Sequence, residues 1–292
     1  MMQVEIDKNS GFCFGVVRAI KAAEKQLQQH KPLYCLGDIV HNNEEVNRLA
    51  TLGLKIISHD DFQRLTNTEV MIRAHGEPPQ SYQTAQKNNI SLIDATCPVV
   101  LKLQKDIKNS FEAEEFQDGQ ILIFGKAGHA EVIGLLGQTQ NKGLVISSLS
   151  DIDKIDYHRP AKLYSQTTQS VEEYQAIVQT IQEKYAQIGN QALFHYYDTI
   201  CYRVANRAKE IRDFASKYDK VIFVSGEKSS NGLYLFDICK EINPHSYFIY
   251  RQEQLNNIPF NIKDKVGICG ATSTPMWLMQ AIAEKIKHLP LP

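Results

Sequence analysis

The chain has 292 residues, 43% of them apolar, enough for a large core in about two domains or three small ones. Its 32 basic residues balance 33 acidic ones with no Lys/Arg block, which argues against nucleic acid or an anionic membrane as partner and for a small molecule. The start, MMQVEIDKNSGFC, carries no basic segment followed by an apolar one, and no apolar run approaches the ~18 residues of a membrane span, so a soluble cytoplasmic protein is expected. With such short ends, neither a transit peptide nor an appended domain is expected.

Apolar β-branched runs alternate with stretches of helical period from end to end, the mark of parallel α/β architecture. After Cys13 a helix is predicted over about 15–29, then strand LYCLGD leading to His41, a helix, strand LKIIS, a short helix, and strand EVMIRA ending at His75. A helix and ISLIDA lead to Cys97. The cycle restarts with a helix from Pro98, strand QILIFG ending near His129, a helix, GLVISS, AKLYS ending at Thr167, a long helix, ALFHYY and Cys201. It restarts again with a helix, KVIFVSG ending at Ser229 and Ser230, a helix, SYFIY, and KVGICG ending near Ser273 before a last helix.

This order predicts three similar small parallel-sheet α/β units, at 1–96, 97–200 and 201–292, the last with a C-terminal helix. Letters repeat little between them, apart from Asp three residues before Cys at Asp94 and Asp198. Ligands of doubly wound sheets sit beyond the carboxyl ends of the strands. Each unit therefore offers one cysteine and two polar loops on one side, and closure around a common axis would bring three thiols together.

Six cysteines occur, with no close CxxC pair, which argues against a disulfide framework and a zinc ribbon. Cys35, Cys239 and Cys269, inside a strand, a helix and a strand, read as packing residues. Cys13, Cys97 and Cys201 sit in loops that open helices, where backbone N–H groups and the helix dipole favour the thiolate. Three thiolates and a histidine can hold zinc, although structural zinc normally uses close ligand pairs. An iron–sulfur cluster normally takes four thiolates, so one held by three leaves an iron open to substrate.

Of nine histidines, His30, His158 and His288 read as surface positions and His195 as part of a strand. His41, His75 and His129 occupy strand-to-helix loops, DIVHNNEE, IRAHGEPP and KAGHAEVIG, two with an adjacent glycine that permits close backbone approach. SGEKSSNG and GATSTP add hydroxyls and an amide at helix starts, where plain N-caps and anion sites are both common. Neither GxxxxGK[ST] nor GxGxxG occurs, so a diphosphate held by His, Ser, Asn and backbone fits better than ATP or a dinucleotide. Glu131 is either a proton donor or an ordinary first-turn acid. Of Thr167 and Thr168, one is expected to cap the following helix and the other to face the site.

The motifs GFCFGV, HNNEEV, AHGE, DATCP, GHAEVIG, QTTQSV, DTICYRVANR, SSNG and STP, in this order over nearly the whole chain, resemble those of the 4-hydroxy-3-methylbut-2-enyl diphosphate reductase family. These are the last enzymes of the methylerythritol phosphate route to isoprenoids. The resemblance implies three α/β units arranged pseudo-threefold around one [4Fe–4S] cluster held by Cys13, Cys97 and Cys201. His41, His75, His129, Ser229, Ser230, Asn231 and Ser273 would bind substrate, chiefly its diphosphate. Glu131 would be the proton donor and Thr167 would lie near the substrate hydroxyl.

It further implies reductive dehydroxylation of (E)-4-hydroxy-3-methylbut-2-enyl diphosphate to isopentenyl and dimethylallyl diphosphate, with electrons from an external donor such as ferredoxin or flavodoxin. Three departures from the family pattern stand out. Ala130 replaces the usual proline between His129 and Glu131, GEKSSN lacks the first Asn of a usual NSSN, and CGATSTP leaves Thr272 as an alternative to Ser273. The rival readings are an iron–sulfur hydro-lyase acting on a small anion, a zinc hydrolase, and a ligand-binding module.

Overall fold

The structure, a computed structural model, describes residues 2–29 and 32–289. His30, expected at the surface, lies outside the described residues. In chain order come β1 (Gln3–Ile6), α1 (Phe14–Leu27), β2 (Leu33–Leu36), α2 (Asn43–Thr51), β3 (Leu54–Ile57), α3 (His59–Arg64), β4 (Glu69–Ile72), α4 (Pro79–Lys87) and β5 (Ser91–Asp94). Then follow α5 (Pro98–Glu112), β6 (Gln120–Phe124), α6 (Ala130–Gly137), β7 (Leu144–Ile146), β8 (Ala161–Ser165), α7 (Val171–Gln187) and β9 (Phe194–Tyr196). The last are α8 (Tyr202–Ala215), β10 (Lys220–Val224), α9 (Ser230–Ile242), β11 (Ser246–Ile249), β12 (Lys265–Gly270) and α10 (Met276–Lys287).

The strands make three four-stranded sheets, so the fold consists of three parallel-sheet α/β units. One sheet has the order β1-β12-β10-β11, another β7-β6-β8-β9, and β2 to β5 form the third. Every strand expected from the sequence is present. The addition is β1, which pairs in parallel with β12, Gln3 opposite Lys265 through Ile6 opposite Ile268. The final cycle showed only three strand-like runs, and the N-terminus supplies its fourth. QVEI forms no apolar run because it alternates exposed and half-buried positions along a sheet edge.

By contact density the chain divides into two compact units, one of residues 1–56 with 203–292 and the other of residues 57–202. In the first, β10 is buried throughout and serves two cores with period two. Ile222 and Val224 pack with Ile268, Leu278, Met279 and Ile282 on the α10 side. Val221 and Phe223 pack with Ile211, Phe214, Leu235 and Cys239 on the α8 and α9 side.

The second unit repeats this plan on β6. Leu122 and Phe124 face Tyr174, Ile177 and Ile181 of α7, while Ile121 and Ile123 face Leu103 and Ile107 of α5 and Val132 and Leu135 of α6. Burying such side chains stabilises by roughly 1.5–3 kcal/mol each. A strand packed on both faces leaves only its ends open, so polar chemistry is confined to the loops.

Candidate active site

The loops at the carboxyl ends of the strands follow one pattern in all three sheets. His41, His129 and Ser229 each stand five positions beyond their strand, after Leu36, Phe124 and Val224. The N–H of Cys13 donates to the Thr272 carbonyl at 3.0 Å, that of Cys97 to Ala74 at 3.0 Å, and that of Cys201 to Thr167 at 2.8 Å. Each acceptor is the second residue past its own strand, after Gly270, Ile72 and Ser165.

Each cysteine also follows a turn made by an aspartate. Asp7, Asp94 and Asp198 accept the N–H of Asn9, Thr96 and Ile200, two residues on, at 3.1, 2.9 and 3.2 Å. An aspartate that closes a local turn redirects the chain from the sheet edge into the next helix. The sequence displayed this signal at Asp94 and Asp198. At Asp7 the longer spacing to Cys13 concealed it.

In the first unit, Cys13 is the N-cap residue of α1. Its loop is held by Arg207, which is 2% exposed and bonds Asp7 Oδ2 at 2.5 Å, Ser10 Oγ at 2.6 Å and the Gly270 carbonyl at 3.2 Å. Ser10 Oγ in turn accepts the Gly270 N–H at 2.9 Å. Ser229 caps α9 by accepting the Gly232 N–H at 3.1 Å, and its hydroxyl lies 3.4 Å from that of Ser273. Ser230 is the first residue of α9.

Asn231 Nδ2 donates to Thr272 Oγ1 at 3.1 Å, and its Oδ1 is buried without a hydrogen-bond partner. Turning the amide over lets Oδ1 accept from the Thr272 hydroxyl and frees two N–H donors for an anion. Thr272 is thus engaged through both carbonyl and hydroxyl, which leaves Ser273 as the hydroxyl beside Ser229. His41 is placed by close backbone packing: a Cβ on Gly226 would fall 1.9 Å from the His41 carbonyl oxygen.

In the second unit, the rings of His75 and His129 meet edge to face with centroids 5.4 Å apart. Their neighbours Gly76 and Gly128 have φ of 72° and 77°, a conformation that favours glycine. His129 caps α6, its Nδ1 accepting the Glu131 N–H at 3.2 Å. The neutral imidazole therefore carries its proton on Nε2.

Glu131 is 1% exposed. Its Oε1 accepts the Thr167 N–H at 2.7 Å and its Oε2 bonds the Thr167 hydroxyl at 2.9 Å. Burial pushes its pKa up to about 7 against the opposing pull of those two bonds. Glu131 is thus a first-turn acid of α6 that is buried and has a raised pKa.

Contrary to expectation, neither Thr167 nor Thr168 caps α7. Ser170 does, accepting the Glu173 N–H at 3.2 Å, because the chain runs three residues further before turning helical. Thr168 instead accepts Gln166 Nε2 at 2.9 Å. Cys97 is the N-cap residue of α5 with Pro98 at the first helical position, and Cys201 directly precedes α8.

Supporting residues escaped the sequence reading. Glu77, two residues after His75, is buried and accepts His59 Nε2 at 2.8 Å and the Ser81 hydroxyl at 2.9 Å. That bond raises the pKa of His59. Gln104 donates to the Glu77 carbonyl at 3.4 Å. AHGE contained Glu77, but nothing local distinguishes a buried glutamate from an exposed one.

None of the six cysteines forms a disulfide. Cys35, Cys239 and Cys269 are buried, as expected of packing residues, whereas Cys13, Cys97 and Cys201 are partly exposed at helix starts. Partly exposed thiols at helix starts, with no second cysteine close by in sequence, suit iron–sulfur ligation better than a zinc site built on close ligand pairs. No helix among the described residues is long and apolar enough to cross a membrane.

Comparison with known proteins agrees with this reading. The family model for the LytB protein matches residues 4–287. A 4-hydroxy-3-methylbut-2-enyl diphosphate reductase of Bacteroides thetaiotaomicron is 51% identical over 289 residues, covering 99% of each chain. One of Chloroherpeton thalassium is 46% identical over 308 residues, covering 98% of this chain and 96% of its own.

Among solved structures, the E-1-hydroxy-2-methyl-but-2-enyl-4-diphosphate reductase of Plasmodium falciparum superposes with a TM-score of 0.83 at 26% identity, covering 99% of this chain and 89% of that one. A second, an (E)-4-hydroxy-3-methyl-but-2-enyl diphosphate reductase described as the terminal enzyme of the non-mevalonate pathway, gives 0.72 at 32% identity, covering 99% and 100%.

Proposed function

The chain belongs to the LytB family of iron–sulfur oxidoreductases, and on that premise we propose that it reduces (E)-4-hydroxy-3-methylbut-2-enyl diphosphate to isopentenyl and dimethylallyl diphosphate. The balance is one allylic alcohol, two electrons and two protons giving one alkene diphosphate and water. The observation that carries the reading is the buried Glu131, with a pKa near 7 and bonded twice to Thr167, in a fold whose three loops each present one thiol.

Cys13, Cys97 and Cys201 would hold one [4Fe–4S] cluster as its thiolate ligands. When bound, the cluster supplies the electrons one at a time and Lewis acidity toward the leaving hydroxyl. The protein supplies the rest. His41, His75, His129, Ser229, Ser230, Asn231 and Ser273 hold the diphosphate, and the engagement of Thr272 elsewhere favours Ser273 as the hydroxyl in contact. This grip converts binding energy into orientation of the allylic end.

The Thr167 hydroxyl donates to Oε2 of the carboxylate; once Glu131 is protonated on Oε2 the bond reverses, Glu131 donates to Thr167 Oγ1, and the Thr167 proton passes to the departing hydroxyl. The Thr167 N–H on Oε1 fixes which oxygen carries that proton. Restored by solvent, the pair returns to its starting state. Electrons come from a protein donor of the ferredoxin or flavodoxin class docking transiently in the cytoplasm.

Anaerobically purified protein should contain iron and sulfide, absorb broadly in the visible, and form both products only when a one-electron reductant is present. Product without reductant would favour the hydro-lyase. A colourless zinc protein would overturn the cluster assignment.

A further inference from the structure

We propose that Glu45 is a positioning residue for the diphosphate grip, its buried carboxylate joining the helix that follows His41 to the helix that follows Ser273. The inference rests on the reductase reading for what the grip holds. Glu45 is 1% exposed, and its N–H donates to Asn42 Oδ1 at 3.2 Å, closing the first turn of α2 next to His41. Oε2 accepts Trp277 Nε1–H at 2.7 Å and Arg48 Nε at 3.0 Å, and Oε1 accepts Arg48 Nη2 at 2.6 Å.

Trp277 lies in the first turn of α10, directly after the Ser273–Pro275 loop. That loop is tied to the sheet where Thr274 Oγ1 donates to the Val224 carbonyl at 2.7 Å. Arg48 reaches further, to Glu24 of α1 at 2.6 Å. Three helices, whose leading ends carry Cys13, the His41 loop and the Ser273 loop, are thus joined through Arg48 and the carboxylates of Glu24 and Glu45. Every bond in the chain is directional, so the arrangement specifies a mutual orientation that apolar packing would leave looser.

A buried acid is an expensive way to gain stability alone, because an apolar residue of similar volume packs at no desolvation cost. Here the carboxylate accepts a fork from Arg48 and an indole N–H, so its charge is compensated and its geometry fixed. Loosening it should let the His41 and Ser273 donors drift together. Binding of the diphosphate then weakens equally in ground and transition states, which raises KM and spares kcat.

The test compares Glu45→Leu, Glu45→Gln and Trp277→Phe with wild type in the full-length, cluster-loaded protein. The readouts are kcat and KM for the substrate, calorimetric Kd for inorganic diphosphate, and iron and sulfide per chain. KM and Kd should rise about tenfold in Glu45→Leu and Trp277→Phe, with kcat within about twofold and cluster content unchanged. Glu45→Gln, which still accepts from Trp277, should recover much of the loss.

Trp277→Phe at wild-type KM and Kd would overturn the proposal, as would a fall in kcat at constant KM. Trp277 is 37% exposed, so its variant decides the matter if Glu45→Leu fails to fold. Wild type that binds inorganic diphosphate without reductant-dependent turnover would sink the reductase reading and leave the Kd comparison to judge Glu45. Wild type that does not bind it would overturn the positioning role.

Discussion

Thr167 meets Glu131 twice, its N–H donating to Oε1 at 2.7 Å and its hydroxyl bonding Oε2 at 2.9 Å. The loop after β8 thereby orients an acid on the first turn of α6, and the same Thr167 accepts the Cys201 N–H through its carbonyl at 2.8 Å. One residue thus fixes the acid and the adjacent cysteine loop.

With its pKa near 7, Glu131 should impose an alkaline limb on kcat/KM, activity falling as pH rises above about 7. Glu131→Gln should lose nearly all turnover while keeping its iron. A folded-state pKa raised from 4.5 to about 7 means that the native state holds a proton the unfolded chain has released. The stabilisation is complete below about pH 4.5 and lost as pH rises through 7, so Glu131→Gln should gain up to ~3 kcal/mol relative to wild type over that window. Denaturant melts at pH 5 and 8 measure this; an unchanged difference between the two proteins would show that Glu131 titrates ordinarily.

Cys97→Ser should lower iron and sulfide per chain after anaerobic reconstitution. Cys239→Ala, at a buried thiol in the α8 and α9 core, should keep full iron and cost about 1–2 kcal/mol of stability as a small core truncation. Undiminished iron and sulfide in Cys97→Ser would remove that residue from the ligand set.

Arg207 is the buried hub of the Cys13 loop. Arg207→Met strands Asp7 in the interior, and breaking such a pair costs about 3–5 kcal/mol. Both a lower Tm and poorer cluster retention are expected. Arg207→Lys should not restore them, because an ammonium cannot reach Asp7, Ser10 and Gly270 with the same fork. Wild-type Tm in the Met variant would contradict the network.

Gly226→Ala would place a methyl 1.9 Å from the His41 carbonyl, so the backbone must move. Diphosphate affinity should fall by at least tenfold, with kcat less affected. Calorimetry with inorganic diphosphate checks it, and unchanged affinity would show that His41 lies outside the grip.

The sequence by itself determined the parallel α/β class, eleven of the twelve strands among the described residues, and the polar loops at their ends. Strands buried on both faces, such as QILIF and KVIFV, read as unbroken apolar runs, and their ends must be polar. It also separated the cysteines, because a thiol inside a strand or helix differs by position from one at a helix start. Only the tertiary structure decided how β1 completes a sheet with residues more than two hundred positions away. It also revealed the burial that raises Glu131, and the use of Glu45, Glu77 and Arg207 as buried anchors instead of surface charges. Edge pairing, desolvation and ion-pair partners depend on what lies beside a residue in space, and a one-dimensional pattern records only what lies beside it along the chain.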